Sequence, residues 1–385
     1  MRILYISHCT DCNGATIGLI NIIQNMLSRK CIVGIVLPVN EGFLYEKMLD
    51  LGVTIYGEYH YPAIMEKPLW QRGFKYYKEY IKYGLVIFKT HLHFLKIIKD
   101  FKPDIVHTNT SAIDYALTGC FFTHTPHVWH IREILDVGCH IPVYPSMYIL
   151  KKKLKLFFNY NIAITKAVYN YYHLREKDKV IYDGVIKENS ECENDSGLPF
   201  PYFISVGYVN PVKGFLQLVK QFSIFSKSNK DFHLVIVGSY DTEDQYYQEC
   251  FECILQNKLQ HRVHFLGVRN DVYALISKSK ALIVASPCEG FGFTCVEAMF
   301  CNTLVIGRNT AGIKEQFDIG LEQTGKEIGL RFDKDEQLPE ILEKSLLQDY
   351  TEMKARAKNL VLDNYTIKKN GDIIFRYYTE ILRKR

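Results

Sequence analysis

Short apolar runs rich in β-branched residues alternate with segments of helical period along this chain, and the series is played through twice. The first series runs RILYIS, then TIGLINIIQNML; CIVGIVLPV, then EGFLYEKMLDLG; and on through VTIYGE, DIVHTNTS, HVWHIRE and NIAITK. Strands of four to eight residues separated by helices predict a parallel sheet covered on both faces. From Asp183 the pattern breaks at DGVIKENSECENDSGLPFP, which is polar, acidic and full of turn formers, as an interdomain linker is. It then restarts as YFISVG, FLQLVKQFSIFSK, HLVIVG, RVHFLG, ALIVAS and TLVIG. At 385 residues the chain exceeds one ordinary core. The division expected is therefore a domain over 1–185, a linker over 186–198 and a second domain over 199–365. A last helical pattern covers Tyr365 to Arg385, with Ile373, Ile374, Tyr377, Ile381 and Leu382 at helical spacing.

Composition narrows the class. Apolar residues make up 48% and charged residues 23%, the proportions of a soluble globular protein. Eleven scattered cysteines, an odd number, argue against a disulfide framework and for a reducing compartment. Cys250 and Cys253 form a C-x-x-C inside YYQECFECILQ, a helical pattern in which buried or half-buried thiols are expected. There is no signal peptide and no apolar span of membrane length, so the expected location is cytoplasmic, free or on the inner face of a membrane. Up to Val185 there are 22 Lys and Arg against 15 Asp and Glu; after it there are 25 against 27. The excess gathers between Trp70 and Lys102, read as two helices, and in Lys151 to Lys155. In the first stretch Lys75, Lys78 and Lys82 interleave with Tyr76, Tyr77, Tyr80 and Tyr83. Such a surface suits an anionic membrane, each Lys adding about 1 kcal/mol. A nucleic-acid surface competes with that reading, as does a solvated face whose lysines snorkel.

The loop after ALIVAS is the leading site candidate, because open α/β sheets bind ligands at the carboxyl ends of their strands. Its sequence, PCEGFGFTCVEAM, places Glu289 before the Gly290-Phe291-Gly292 turn, and then starts a helix whose amides at Phe293 and Thr294 suit a phosphate. Glu297 follows eight residues after Glu289. Thr294 and Glu297 also match a capping box, with Glu297 in the first helical turn as the structural alternative. Glu289 has no such alternative and suits sugar or ribose hydroxyls. In the loop YVNPVKG, Lys213 stands just ahead of a helix N-terminus, where a cation is unfavourable by up to about 1 kcal/mol unless an anion lies between. Its side chain either points into water or meets a phosphate. The first loop carries Gly14 but no G-x-G-x-x-G, which removes the dinucleotide fingerprint of a dehydrogenase.

These residues resemble a family-4 retaining glycosyltransferase of the GT-B fold. EGFGFTCVEAM is similar to the family's E-x7-E signature, VGYVNPVKG to its phosphate loop, and NTLVIGRNTAGIKEQF to the strand and turn after the signature. The resemblance implies two Rossmann-like α/β domains whose parallel sheets face across a cleft, the C-terminal helix (366–385) completing the first. It implies Glu297 on the ribose hydroxyls, Glu289 on the transferred sugar, and Lys213 on the diphosphate with the amides of Phe293 and Thr294. Gly290, Phe291 and Gly292 form the turn beside them. Gly14 lets the first domain approach the donor, and His130 faces the reaction centre; the alternative for His130, the weaker of the two, is a core histidine bonded to a backbone carbonyl. The family usually has Arg after the glycine of the phosphate loop, where this chain has Tyr208; Arg269 or Arg308 is expected to supply the missing charge. The implied reaction moves a sugar from a nucleoside diphosphate sugar to a glycan or lipid-linked acceptor, with no metal and no cofactor, and without nucleic acid. A non-catalytic or weakly active nucleotide-sugar-binding protein is the alternative, as is another GT-B enzyme such as a nucleotide-sugar epimerase.

Overall fold

A computed structural model describes residues 1–59, 77–136, 143, 146–188, 190–192 and 197–384, with the backbone alone for 77–83. The chain divides into two compact units, Met1–Gly184 with Ile367–Arg385, and Val185–Thr366. Both are α/β with Rossmann-like parallel sheets.

The first sheet contains β1 (Arg2–Ile6), β2 (Ile32–Val36), β3 (Thr54–Tyr56), β4 (Ile105–Thr108), β5 (His127–Ile131), β6 (Asn159–Ala163) and β7 (Lys179–Val180) in the order β3-β2-β1-β4-β5-β6-β7. Every neighbouring pair is parallel. Its helices are α1 (Gly14–Ser28), α2 (Phe43–Asp50), α3 (Tyr77–Phe101), α4 (Ala116–Thr123), α5 (Met147–Leu154) and α6 (Lys166–Tyr172). Side chains alternate across a strand, so β1 feeds two cores. Ile3 and Tyr5 join Leu19, Ile22 and Met26 of α1. Leu4 and Ile6 join Phe94, Ile97 and Ile98 of α3. This two-sided burial is why the strand reads as an unbroken apolar run.

The second sheet contains β8 (Tyr202–Val206), β9 (His233–Val237), β10 (Val263–Phe265), β11 (Ala281–Val284), β12 (Leu304–Arg308) and β13 (Leu330–Phe332), ordered β10-β9-β8-β11-β12-β13 and again parallel throughout. Its helices are α7 (Phe215–Phe225), α8 (Gln245–Gln256), α9 (Val272–Lys278), α10 (Phe293–Phe300), α11 (Ala311–Thr324), α12 (Leu338–Leu347) and α13 (Thr351–Asn364). The last helix, α14 (Ile367–Arg383), belongs to the first unit, where Ile374, Tyr377, Tyr378 and Ile381 enter the α1 core. Their spacing of three and four residues lines one helical face, which α1 and β1 cover.

Two expectations are revised. In its described part, the stretch read as two helices before Pro103 is one helix, α3. Lys75 and Tyr76 lie outside the described residues, as do the side chains of Tyr77, Lys78, Tyr80, Lys82 and Tyr83. A disulfide joins Cys192 to Cys301 across 109 residues of sequence, with Cα atoms 5.4 Å apart. An odd cysteine count bears on a framework of many bridges and is silent about a single pair, which forms wherever folding brings two thiols to bonding distance. Cys250 and Cys253 are buried free thiols of α8. Among the described residues no helix is long and apolar enough to cross a membrane.

Candidate functional site

In the second sheet the strand order reverses between β8 and β11, and such a switch point places two loops side by side at the carboxyl edge. Here these loops are 207–214 and 285–292. Gly214 has φ +71° and holds them together: a Cβ there would sit 2.6 Å from the Ala285 carbonyl oxygen. Just before it, Pro211–Lys213 makes a single 3-10 turn, and the Asn210 side chain accepts the Lys213 amide at 3.2 Å. The Lys213 side chain passes over Gly207 and its Nζ donates to Glu289 Oε2 at 2.9 Å. The carboxylate thus lies where a cation ahead of a helix N-terminus needs an anion, and the side chain does not simply point into water. Both partners keep some exposure, 29% for Lys213 and 19% for Glu289. A small cavity beside them is lined by Ser205, Val206, Lys213, Ala285, Glu289 and Thr294.

Helix α10 begins two residues earlier than a Thr294 cap would require. Its N-cap is Gly292, at φ +94°, so no side chain caps the helix. Thr294 lies inside the first turn and Glu297 beyond it, so the capping box does not form. The leading amides, Phe293 and Thr294 among them, have no intrahelical carbonyl to bond, the arrangement that suits an anion. Glu297 is half-buried; its environment lifts the carboxyl to about 7, burial being the main cause, against a weaker opposing bond from the Tyr273 hydroxyl at 3.4 Å. Phe291 turns inward, 3% exposed, against Phe293 and Tyr365, so of this residue only the backbone faces the turn. Gln316 Nε2 donates to its carbonyl at 2.6 Å, and the Gly312 amide donates to the carbonyl of Glu289 at 2.8 Å. Ala311, at φ +43°, carries the strain of that close approach.

The two arginines expected to offset Tyr208 are already engaged. Arg308 Nε donates to the Ala285 carbonyl at 3.1 Å and its Nη2 pairs with Asp335. Arg269 closes on Asp271 with two bonds of 2.8 and 2.7 Å at the surface. Arg308 alone of the two touches a residue that lines the cavity. Tyr208 is half-exposed.

In the first unit, Gly14 opens α1, and Asn13 caps it by accepting the Thr16 amide at 3.0 Å. His130 sits on β5 with no exposed surface, and neither ring nitrogen has a hydrogen-bond partner among the described residues. The carbonyl-bonded core histidine is therefore not what forms. Its ring meets His107 edge-on at 5.3 Å, and burial first, then Arg132, holds both imidazoles well below their usual pKa, hence neutral. Beside them Arg132 donates from Nη1 to Asp183 and from Nε to Asn109 Oδ1 at 2.7 Å, an ion pair with almost no solvent contact. Among the described residues no group of three or more His, Cys, Asp or Glu is placed to hold a metal ion.

Residues 187–359 match the family model described as Glycosyl transferases group 1. That match covers most of the second unit. Over 249 residues the chain is 24% identical to an uncharacterized glycosyltransferase of Methanocaldococcus jannaschii, a match covering 57% of this chain and 59% of that protein. Over 182 residues it is 30% identical to the O-antigen chain mannosyltransferase RfbU of Salmonella typhimurium, covering 42% and 48% respectively. The chain thus spans about half the length of the curated relatives it matches. The fold matches that of Anabaena HepE, solved in complex with UDP and glucose, with a TM-score of 0.76, 19% identity, and coverage of 99% of this chain and 100% of that one.

Within the second unit, sequence reasoning reached Lys213, Glu289 and Glu297 and missed Asn210, Tyr273 and Gln316, which fix their surroundings. In the first unit it missed Arg132, Asn109 and Asp183. The last was read only as the start of a linker. Arg132 had a signal, a cation two residues after His130 at the end of an otherwise apolar strand; Tyr273 and Gln316 had none.

Proposed function

We propose that the chain is a retaining glycosyltransferase that moves a sugar from a nucleoside diphosphate sugar onto a hydroxyl of a glycan or lipid-linked acceptor. The observation that carries this reading is the Lys213–Glu289 pair beside the uncapped start of α10. A diphosphate competes with Glu289 for Lys213 and takes up the amides of Phe293 and Thr294. That exchange frees Glu289 to accept hydroxyls of the sugar, so one binding event arms both groups. Glu297, lifted to about 7, both donates to and accepts from ribose hydroxyls when protonated. As the bond from the anomeric carbon to the diphosphate oxygen breaks, Lys213 and the amides stabilise the charge that develops. The acceptor oxygen bonds to the same face of that carbon, and its proton passes to the departing phosphate. Lys213 and the amides supply the positive charge, and the reading includes no metal.

Peripheral attachment to an anionic membrane belongs to the same reading. It is supported by Phe122 and Phe157, 63% and 71% exposed, the second lying three residues after the lysine-rich α5, and by the role that the name of RfbU gives that relative in O-antigen chains. The test is turnover with UDP-, GDP- and ADP-sugars and a panel of glycan acceptors. Lys213→Ala and Glu289→Ala each lower transfer about 10²- to 10³-fold with melting temperature preserved; wild-type turnover in either rejects the assignment. A non-catalytic nucleotide-sugar-binding protein is the second reading, favoured by the pairing of both Arg269 and Arg308 while Tyr208 stands in the phosphate loop. Donor binding by calorimetry without product, across the acceptor panel, decides for it.

A further inference from the structure

Sequence reasoning passed over a second C-x-x-C, Cys9-Thr10-Asp11-Cys12, in the loop between β1 and α1. Two features separate it from the buried pair in α8. Cys12 is exposed and Cys9 partly so, whereas Cys250 and Cys253 are both buried. Cys9 is also surrounded by polar groups: Asn13 Nδ2 donates to its sulfur at 3.4 Å, the Thr16 hydroxyl lies 3.7 Å from it, and His8 adjoins it in the chain. The backbone around it is pinned, since the Ser7 hydroxyl donates to the Cys9 carbonyl at 2.8 Å and the Leu44 amide to the Thr10 carbonyl at 2.9 Å. Beyond Thr10 the chain bends through Asp11 to Asn13, carrying Cys12 at the surface.

We propose that Cys9 and Cys12 form a thiol–disulfide exchange site that reacts with low-molecular-weight disulfides. Cys9 thiolate attacks one sulfur of the small disulfide; an S–S bond forms to Cys9 and one small thiolate leaves, taking a proton from solvent. Cys12, on losing its proton, attacks the Cys9 sulfur of this mixed disulfide and expels the second small thiol. Two protein thiols are oxidised to one disulfide while the small disulfide is reduced to two thiols. The electrostatics agree with this order of attack. Burial alone would raise the Cys9 thiol, but the bond and charge of His8, with Asn13 and Thr16, bring it below the usual thiol range, while burial pushes Cys12 up. His8 itself is raised: burial opposes its charge, Cys9 and then Glu133 favour it, and Arg132 works against it. The bridge would tie down the loop that leads into Gly14. The exchange chemistry itself does not depend on the glycosyl-transfer reading.

The full chain, purified reduced, is treated with oxidised glutathione at neutral pH, quenched in acid, alkylated, digested with trypsin and read by mass spectrometry. The tryptic peptide from Ile3 to Arg29 contains Cys9 and Cys12 and no other cysteine. It is expected unalkylated and lighter by the mass of two hydrogen atoms, while the peptides carrying the buried Cys120 and the buried pair Cys250 and Cys253 stay alkylated. Cys12→Ser traps a glutathione adduct on Cys9. Cys9→Ser leaves a Cys12 that reacts about tenfold more slowly than the wild-type pair. Circular dichroism confirms that both variants are folded. A fully alkylated peptide, or a Cys12 that reacts as fast without Cys9, overturns the proposal. A wild-type chain that stops at the mixed disulfide removes the resolving role of Cys12 and overturns it equally.

Discussion

The two units place charge differently at the carboxyl edges of sheets built alike. In the second, Lys213 and Glu289 pair at the rim with partial exposure, beside a helix start that no side chain caps. In the first, Arg132 and Asp183 pair in the interior, 4% and 1% exposed, with His130 and His107 beside them. The difference matters because a half-exposed ion pair contributes little to stability and exchanges partners at small cost. A buried pair is strongly coupled to its surroundings, since either charge left alone in the interior is very unfavourable. The rim pair is thus suited to release its lysine to a ligand, and the interior pair to fix the packing around the histidines.

The largest effect expected is at the interior pair. Arg132→Leu leaves the Asp183 carboxyl buried without its cation and destabilises the protein by about 3–5 kcal/mol in urea titration; adding Asp183→Leu recovers most of the loss. If Arg132→Leu melts like wild type, the contrast between the two pairs fails.

Glu297 tests the second unit with a pH profile. Its folded-state pKa, about 7, lies above the ordinary 4.5, so ionisation is penalised in the fold and not in the unfolded chain. This contribution is fully present below about pH 4.5 and is lost as pH rises through about 7. Glu297→Gln removes that fall: its melting curve matches wild type at the acidic end and exceeds it above neutrality, by up to about 3 kcal/mol. The same variant loses about tenfold in nucleotide-sugar affinity by calorimetry if the carboxyl grips ribose. A pH profile identical to wild type removes Glu297 from that role.

The smallest effect concerns the exposed aromatics of the first unit. Phe122→Ser with Phe157→Ser lowers recovery on anionic vesicles in flotation severalfold, leaving transfer to a water-soluble acceptor unchanged. Equal recovery on neutral and anionic vesicles by the wild type removes the membrane from the account.

Much of the fold was legible because parallel strands covered on both faces must be continuously apolar, and the runs around Ile3, Ile35, Ile204 and Ile283 are so. Helix α14 was legible as a helix from Ile374, Tyr377 and Ile381, and its apolar face required a partner. Within the site, the turn at Gly290 and Gly292, the acids around it and the lysine of the phosphate loop could be found from residue type and spacing. The helix start could not be fixed to the residue: Thr294 invites a cap, yet the chain enters α10 at Phe293 because Gly292 adopts a positive φ closed to most side chains. The disulfide was hidden for another reason, since cysteine parity says nothing about which two thiols meet.

By itself the sequence determined what each segment becomes, because strand and helix periods record which side of a segment is buried. It also determined where the backbone can turn tightly, through glycines such as Gly214. Only the tertiary structure decided who meets whom. Lys213 reaches Glu289 over 76 residues, and Arg132 reaches Asp183 over 51, because sheet order puts β8 against β11 and folds the segment after β7 back beside β5. Periodicity is local, whereas partnership of charges depends on strand order and on how far each is withdrawn from water.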